Sequence, residues 1–335
     1  MALTTSIQHT NLVDSFGREF PYLRLSVTDA CNFRCTYCLP HGYVKSKTSQ
    51  SHLSREEIVH LVRAFAELGT WKIRLTGGEP TLRRDLLEIV RDIKQIPGIR
   101  KIALSTNGYR LKDQARDLFE AGVTALNVSV DSLDPGRFEK LTGSSKLFEI
   151  IEGIDTASSV GFKRIKINAV LMADTVDKES ELFLKWIRTA PITVRFIELM
   201  PTGQNTEFFK AHHVQGSQLA KKLVSDGWAL RPRLAADGPA QEFEHPDYQG
   251  RIGLIAPYSK DFCQSCNRLR VTSQGALRLC LFGEGGTSLR HYLQSPDQMD
   301  DLKELVTALL NKKEISHYLP EGRFGNNQTF SAMGG

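Results

Sequence analysis

Several things are missing from this sequence, and each absence narrows what the chain can be. Its 335 residues contain no apolar run close to the ~20 that a membrane-spanning helix needs. No block of five like charges occurs despite a formal net charge of +5, so the concentrated basic arm of many nucleic-acid binders is absent. Low-complexity segments are lacking, and the only repeat is a short strand followed by a helix-period stretch. Residues 1–20 have no signal-peptide apolar core, and one Arg with two acids is unlike a transit peptide. The expected location is cytoplasmic. With 41% hydrophobic and 24% charged residues the composition is globular. A chain of this length buries roughly three-quarters of its unfolded surface, so its core needs no disulfide staples.

The 6 cysteines are therefore informative, and none is left over from two triplets. The first reads Cys31-Asn-Phe-Arg-Cys35-Thr-Tyr-Cys38, directly after the first predicted strand. That is the functional end of a β/α architecture. Three thiolates on one short loop can hold three irons of a 4Fe–4S cube and leave the fourth iron open to a small molecule. A structural zinc ion, which takes four ligands, is the alternative. The second triplet, Cys263-Gln-Ser-Cys266 and then Cys280 after 13 residues, again offers three sulfurs. It suits a second open cluster, or a zinc ion completed by a distant ligand; His291 is the nearest histidine downstream. In a reducing compartment such sets read as metal ligands rather than disulfides.

Strands are predicted at Tyr22–Val27, Lys72–Thr76, Lys101–Thr106, Ala125–Val130, Arg164–Val170 and Thr193–Leu199. Helices are expected between them: one from the capping box Ser54-Arg55-Glu56-Glu57 to Gly69, then Arg84–Gln95, Lys112–Ala121, Phe148–Val160 and Asp177–Thr189. The fold class is α/β: a partial, open (β/α)6 barrel of the TIM type with a C-terminal extension carrying the second iron–sulfur site. Thr202–Lys210 and Arg231–Gln249 read as loops, Arg251–Pro257 as a strand, Arg268–Thr272 with Ala276–Phe282 as a hairpin, and Gln298–Lys312 as a helix. The expected divisions are an N-terminal tail over 1–20, the barrel over 21–200, the second-cluster region over 201–320 and a flexible Gly-Gly tail over 321–335.

The Cys31–Cys38 run resembles the radical S-adenosylmethionine (SAM) signature, and Gly77-Gly78-Glu79-Pro80 resembles that superfamily's methionine-binding stretch. The second triplet, the run Asn267-Arg268-Leu269-Arg270 and the terminal Gly334-Gly335 narrow the resemblance to the GTP 3′,8-cyclase family of molybdenum cofactor biosynthesis. It covers nearly the whole chain after about residue 12. Ala30 stands where the family usually has a basic residue and Leu39 where Met is common; neither is a ligand position. The resemblance implies two 4Fe–4S clusters on the six cysteines. It implies SAM at Tyr37, Gly77, Gly78, Glu79, Ser129 and Met200, and GTP at Arg24, Arg74, Ser105, Lys166, Arg268, Leu269 and Arg270. Arg195 joins as a further cation. The tail ending in Gly334 and Gly335 is implied to enter the site and support catalysis beside Arg195. A one-electron donor and a downstream cyclic pyranopterin monophosphate synthase are the implied partners, with neither nucleic acid nor membrane; a homodimer is compatible with it.

Plain physics supports parts of this and offers blander alternatives. Gly77 and Gly78 have no side chain to keep SAM's amino group from backbone carbonyls. Glu79 suits either that ammonium or a structural salt bridge, Met200 a core position, and Ser129 an ordinary strand serine. Arg24, Arg74, Lys166 and Arg195 lie on strands where alternation points each either to solvent or to the barrel interior. Pointing inward, they need an anion, and a triphosphate would pair several at once. Three rivals remain at this point. A peptide-modifying radical SAM enzyme would usually carry more C-terminal cysteines. An iron–sulfur redox protein without enzymatic activity would need no Gly-Gly-Glu-Pro stretch. The third is a zinc-stabilised nucleic-acid module.

Overall fold

The computed structural model describes residues 11–45, 50–174, 176, 178–233, 237–326 and 328–331. Six strands come from the repeating unit: β1 (Tyr22–Ser26), β2 (Lys72–Thr76), β3 (Lys101–Thr106), β4 (Ala125–Ser129), β5 (Ile165–Leu171) and β6 (Thr193–Glu198). The C-terminal part adds β7 (Ala229–Leu230), β8 (Gln241–Glu244), β9 (Arg251–Ile255), β10 (Arg268–Val271), β11 (Ala276–Arg278) and β12 (Thr287–Ser288). All belong to one 12-stranded sheet in the order β12-β11-β10-β1-β2-β3-β4-β5-β6-β9-β8-β7. From β10 through β6 to β9 every pairing is parallel. The C-terminal extension is thus no separate layer. It adds one parallel strand to each edge of the six-stranded unit, and each of these carries antiparallel strands outside it.

Helices α1 (Arg55–Glu67), α2 (Leu86–Gln95), α3 (Leu111–Ala121), α4 (Pro135–Thr142), α5 (Leu147–Val160) and α6 (Lys178–Ile187) join the first six strands. They bury apolar faces, such as Ile58, Leu61, Val62 and Phe65 of α1, in a continuous core with the strand residues that face outward from the barrel. The inward faces carry the polar residues, and residues from β1 to β6 and from β10 line one shared cavity. The open partial barrel is therefore as expected, and its α1 begins with the anticipated capping box.

The differences from expectation have local causes. Helix α4 had its signals, Asp134 as N-cap, Pro135 in the first turn and Gly143 as C-cap, in a stretch too short to show a period. Helix α7 (Thr206–His212) forms where a loop was expected and buries no residue, so no apolar stripe marks it. Helix α8 (Gly216–Ser225) follows it. Strand β8, also read as loop, buries only Phe243. Residues 11–20, expected as a tail, pack onto the body through buried Leu12 and Phe20. The terminal helix α9 (Met299–Leu310) packs on α1, where Lys303 pairs with Glu67 at 2.8 Å.

The capping box is testable. The Ser54 hydroxyl accepts the Glu57 N–H at 3.1 Å, and the Glu57 carboxylate accepts the Ser54 N–H at 2.7 Å. Ser54→Ala should lower the unfolding free energy by about 1 kcal/mol. A urea midpoint equal to that of the unaltered protein would show that the box contributes nothing.

Candidate active site: two cysteine triplets across a cationic cavity

Strand β1 runs into the first cysteine loop, and the loop is built by contacts with its neighbours. Arg34 and Thr36 donate backbone N–H groups to Thr142 and Leu141 at the end of α4, at 3.0 and 2.9 Å. Asn107 donates to the Asn32 side chain at 2.9 Å, and Phe33 packs edge-on against Phe138 and Tyr109. Burial raises the thiol pKa of Cys31, Cys35 and Cys38, that of Cys38 to about 12. Three half-buried thiols facing one cavity keep their protons until a cation compensates the thiolates, which is how a metal site couples to proton release. The Phe33 N–H reaches the Cys31 sulfur at 3.5 Å.

The second triplet lies at the other end. Strand β10 runs parallel to β1 with Arg268 opposite Tyr22, so Cys266 precedes the level at which β1 begins. Cys31 lies beyond the level at which β1 ends. The four strand steps between those levels span roughly 13 Å at ~3.3 Å each. Cys280 follows β11, which returns antiparallel beside β10. All six cysteines are free thiols, and all line the same cavity. Their electrostatic settings differ. Burial alone would raise Cys266, but Arg268 and Lys313 bring it to about 7. At the first loop Asp131 acts the other way, raising Cys35 further after burial.

Among the described residues, no three His, Cys, Asp or Glu side chains converge as a single ion requires. Both triplets line the cavity, and backbone N–H groups of Phe33, Arg268 and His317 point at the sulfurs. That donor set fits iron–sulfur clusters, whose sulfurs take such hydrogen bonds.

Between the triplets, strand alternation turns two tiers of cations inward. One level holds Arg268, Tyr22, Lys72 and Lys101 in register, the next Arg270, Arg24 and Arg74. Lys166 and Arg195 complete the wall, and Arg195 runs across Gly253 on β9, where a Cβ would stand 2.5 Å from its Cγ. Burial lowers Lys72 and Lys166 to about 8, Arg195 to about 9 and Arg270 to about 10. Among the described residues Lys166 pairs with Glu242 at 2.5 Å. Arg74 donates Nε to the Tyr22 hydroxyl and another N–H to Ser105 Oγ at 3.1 Å. Buried nitrogens of Arg195, Arg268 and Arg270 have no hydrogen-bond acceptor among the described residues. Such a concentration of desolvated cations is costly without an anion to pair with it.

The cavity gathers most of the predicted residues: Tyr37, Gly77, Gly78, Ser129, Met200, Arg24, Arg74, Ser105, Lys166, Arg195, Arg268 and Arg270 all line it. Two predicted residues keep their side chains out of the cavity, Leu269 and Glu79. Leu269 is buried in the hydrophobic core between its two arginine neighbours, because successive strand residues face opposite ways, and its side chain does not line the cavity. Glu79 is fully buried behind the wall, where it accepts from Thr81 N and Oγ1, Thr106 Oγ1 and Asn107 N. It ties the Gly-Gly loop to the end of β3. Gly77 and Gly78 are small for a further reason: a Cβ would come within 2.2 Å of the Thr28 carbonyl oxygen and 2.3 Å of that of Ala30. Gly334 and Gly335 lie outside the described residues, but Phe330 and Ser331 just before them are buried and direct backbone N–H groups at Cys38.

Sequence reading missed Tyr22, Lys72, Lys101, Asp131 and Asn168, all on the cavity wall. Tyr22 and Lys72 carried a usable signal, since each stands two residues before a predicted cation on the same strand. Asp131 accepts the Tyr37 hydroxyl at 2.7 Å and the Val170 N–H at 3.0 Å. The Tyr22 phenol is fully buried, which raises its pKa, yet Arg74, Arg24 and Lys72 outweigh this and bring it from 10.0 to about 7. Between those values the unfolded chain keeps a proton that the folded one has released. Tyr22 should therefore make unfolding free energy rise with pH across that window, and lose this contribution as pH falls through about 7. In ligand-free protein one tyrosinate should appear in the ultraviolet near neutral pH and vanish in Tyr22→Phe; identical titrations would refute it.

Comparison with known proteins agrees with this architecture. The radical SAM superfamily model matches residues 25–187 and the Molybdenum Cofactor Synthesis C model residues 192–319. A GTP 3′,8-cyclase of Haemophilus influenzae (strain 86-028NP) is 51% identical over 330 residues, covering 98% of each chain. One from Yersinia pestis is 52% identical over 324 residues, 97% of this chain and 99% of that protein. Among solved structures, Streptococcus suis SuiB bound to S-adenosylmethionine superposes with a TM-score of 0.61 at 14% identity, covering 86% of this chain and 68% of that one. At that identity the likeness shows the fold alone. The length and level of the sequence matches, with two family models adjoining along one polypeptide, establish that the chain belongs to the GTP 3′,8-cyclase family of radical SAM proteins.

Proposed function

We infer that this protein is a radical SAM lyase that converts GTP to (8S)-3′,8-cyclo-7,8-dihydroguanosine 5′-triphosphate, an early step of molybdopterin biosynthesis. The observation that carries the reading is the pair of cysteine triplets facing each other across a cavity walled by buried cations, in a chain about half identical to such cyclases over nearly its full length. When bound, the two 4Fe–4S clusters and SAM supply a 5′-deoxyadenosyl radical for hydrogen removal at C3′ and an open iron for the guanine.

The chain's own residues do the rest. Cys31, Cys35 and Cys38 hold the first cluster, and Cys263, Cys266 and Cys280 the second. Gly77, Gly78, Tyr37, Ser129 and Met200 form the SAM side of the cavity, with Glu79 acting only by fixing the glycine loop. Arg24, Arg74, Lys166, Arg195, Arg268 and Arg270 neutralise the triphosphate, with Ser105 steering Arg74. Their desolvation strengthens each contact. Holding both reactants in one cavity supplies the positional part of the rate enhancement. A one-electron donor, a downstream cyclic pyranopterin monophosphate synthase and a cytoplasmic location belong to the same reading. No helix among the described residues is long and apolar enough to cross a membrane.

Anaerobically reconstituted protein, given SAM, a reductant and each nucleoside triphosphate in turn, should release 5′-deoxyadenosine and a cyclised product with GTP. Cys35→Ala should release neither, while Cys266→Ala should keep the first cluster and lose the product. Stoichiometric zinc with no iron-dependent turnover would overturn the reading. The tail gives a separate test. Phe330 and Ser331 bring the chain to the first cysteine loop, where both line the cavity. Deleting Gly334 and Gly335 should leave iron content and GTP affinity in place and sharply reduce cyclised product. A full rate from the truncated chain would remove the tail from the mechanism.

A further inference from the structure

Arg18 belongs to the segment before the barrel and is far in sequence from the second triplet, yet it is buried and lines the cavity beside it. Its guanidinium makes four hydrogen bonds. Nε donates to the Asp14 carboxylate at 2.7 Å. One terminal nitrogen donates to the Cys263 carbonyl at 3.1 Å and to the Ile315 carbonyl at 2.9 Å, and the other to the Glu314 carbonyl at 2.7 Å. Asp14 is buried too, and its other oxygen accepts the N–H groups of Phe16 and Arg18 at 3.0 and 2.9 Å. The pair thus forms a rigid clasp that holds two chain segments by their carbonyls.

Those two segments meet at one sulfur. Cys263 supplies it; Ser316 Oγ donates to it at 3.9 Å, and the His317 N–H is directed at it. His317 is fixed in turn, donating Nε2–H to the Pro257 carbonyl at 3.0 Å and accepting the Leu319 N–H on Nδ1 at 2.9 Å. Arg18 therefore grips the backbone of the ligand and, one residue upstream, the backbone of the groups that donate to its sulfur. Lysine cannot reproduce this, because a point ammonium lacks the planar fork that reaches three carbonyls and a carboxylate together.

We propose that Arg18, oriented by Asp14, is a positioning residue for the second cluster: it holds the Cys263 sulfur in register with its hydrogen-bond donors and so sets that cluster's reduction potential. This rests on the reading that the second triplet carries a cluster. Hydrogen bonds to a cluster sulfur stabilise the more negative, reduced state. Loosening the clasp should move the potential of the second cluster to more negative values and leave the first cluster unchanged.

The test uses full-length holoenzyme with both clusters, followed by electron paramagnetic resonance during reductive titration. The first cluster is identified by its response to SAM and the second by its response to GTP. Arg18→Lys and Asp14→Asn should each shift the GTP-responsive signal to lower potential, the second less than the first, while the SAM-responsive signal stays in place. An unmoved GTP-responsive signal in Asp14→Asn, or both signals moving together, overturns the proposal. If Arg18→Lys does not fold, Asp14→Asn decides alone, because it keeps the size of the side chain and removes only the charge that aims Nε. Unaltered protein lacking a second cluster would instead refute the reading of the triplet.

Discussion

The fold is organised around an unfavourable arrangement, a set of like charges buried in one cavity. Arg74, Arg195, Arg268, Arg270 and Lys72 are all nearly inaccessible to water. Burying such groups together costs more than a hydrophobic filling of the same volume would. Partial compensations are visible in the protein itself: Glu242 reaches from β8 to Lys166, and the Tyr22 phenol sits against Arg74 and Lys72. Other features follow from the need to seat these side chains. Alternation along β2 and β10 places the cations two residues apart, and Gly253 stands opposite Arg195 where any side chain would collide with it. The outer faces of the same strands carry Leu23, Leu25, Ile73 and Leu75, all fully buried beneath the helices. The hydrophobic half of the sheet stabilises what the cationic half destabilises.

The two ends of the cavity differ in sign. Around the first triplet the fixed charge is acidic, from Asp131 beneath Tyr37; around the second it is basic, from Arg268 and Lys313. The contrast suits the two ligands of the proposed reaction, since SAM carries a sulfonium and an ammonium whereas GTP carries a triphosphate. It also separates the demands on the cysteines. Thiols at the first end release protons only when iron arrives, whereas Cys266 is already close to ionisation at neutral pH.

How much of this could be read from sequence depended on the range of the interaction. Local signals were sufficient for β2 and β3, whose observed limits match the predicted ones, and for α1 with its capping box. They were insufficient for α7 and β8, which bury almost nothing and so leave no periodic trace. Motif resemblance named the cysteines and most wall cations. It did not show that the Leu269 side chain turns to the core between two inward arginines, nor that Glu79 accepts hydrogen bonds from Thr106 and Asn107, which only folding brings near. The opposition of the two triplets was not legible at all. It depends on β10 pairing beside β1, a contact across more than two hundred residues that no local pattern encodes.

That pairing also explains why the barrel and the C-terminal region cannot be treated as a catalytic unit with an accessory. Strand β10 covers the edge of β1 and supplies Arg268 and Arg270 to the tiers that β1 and β2 begin. Strand β9 covers the edge of β6 and provides the glycine over which Arg195 lies. Without these strands the six-stranded unit would expose two unpaired parallel edges and lose two arginines of its anion site. The segment preceding the barrel is bound into the same arrangement, since Arg18 reaches the second cysteine loop and the stretch after α9. Cation placement, edge protection and the spacing of the two cysteine sites are therefore one structural solution, and a change to any strand that bears an inward arginine acts on all three.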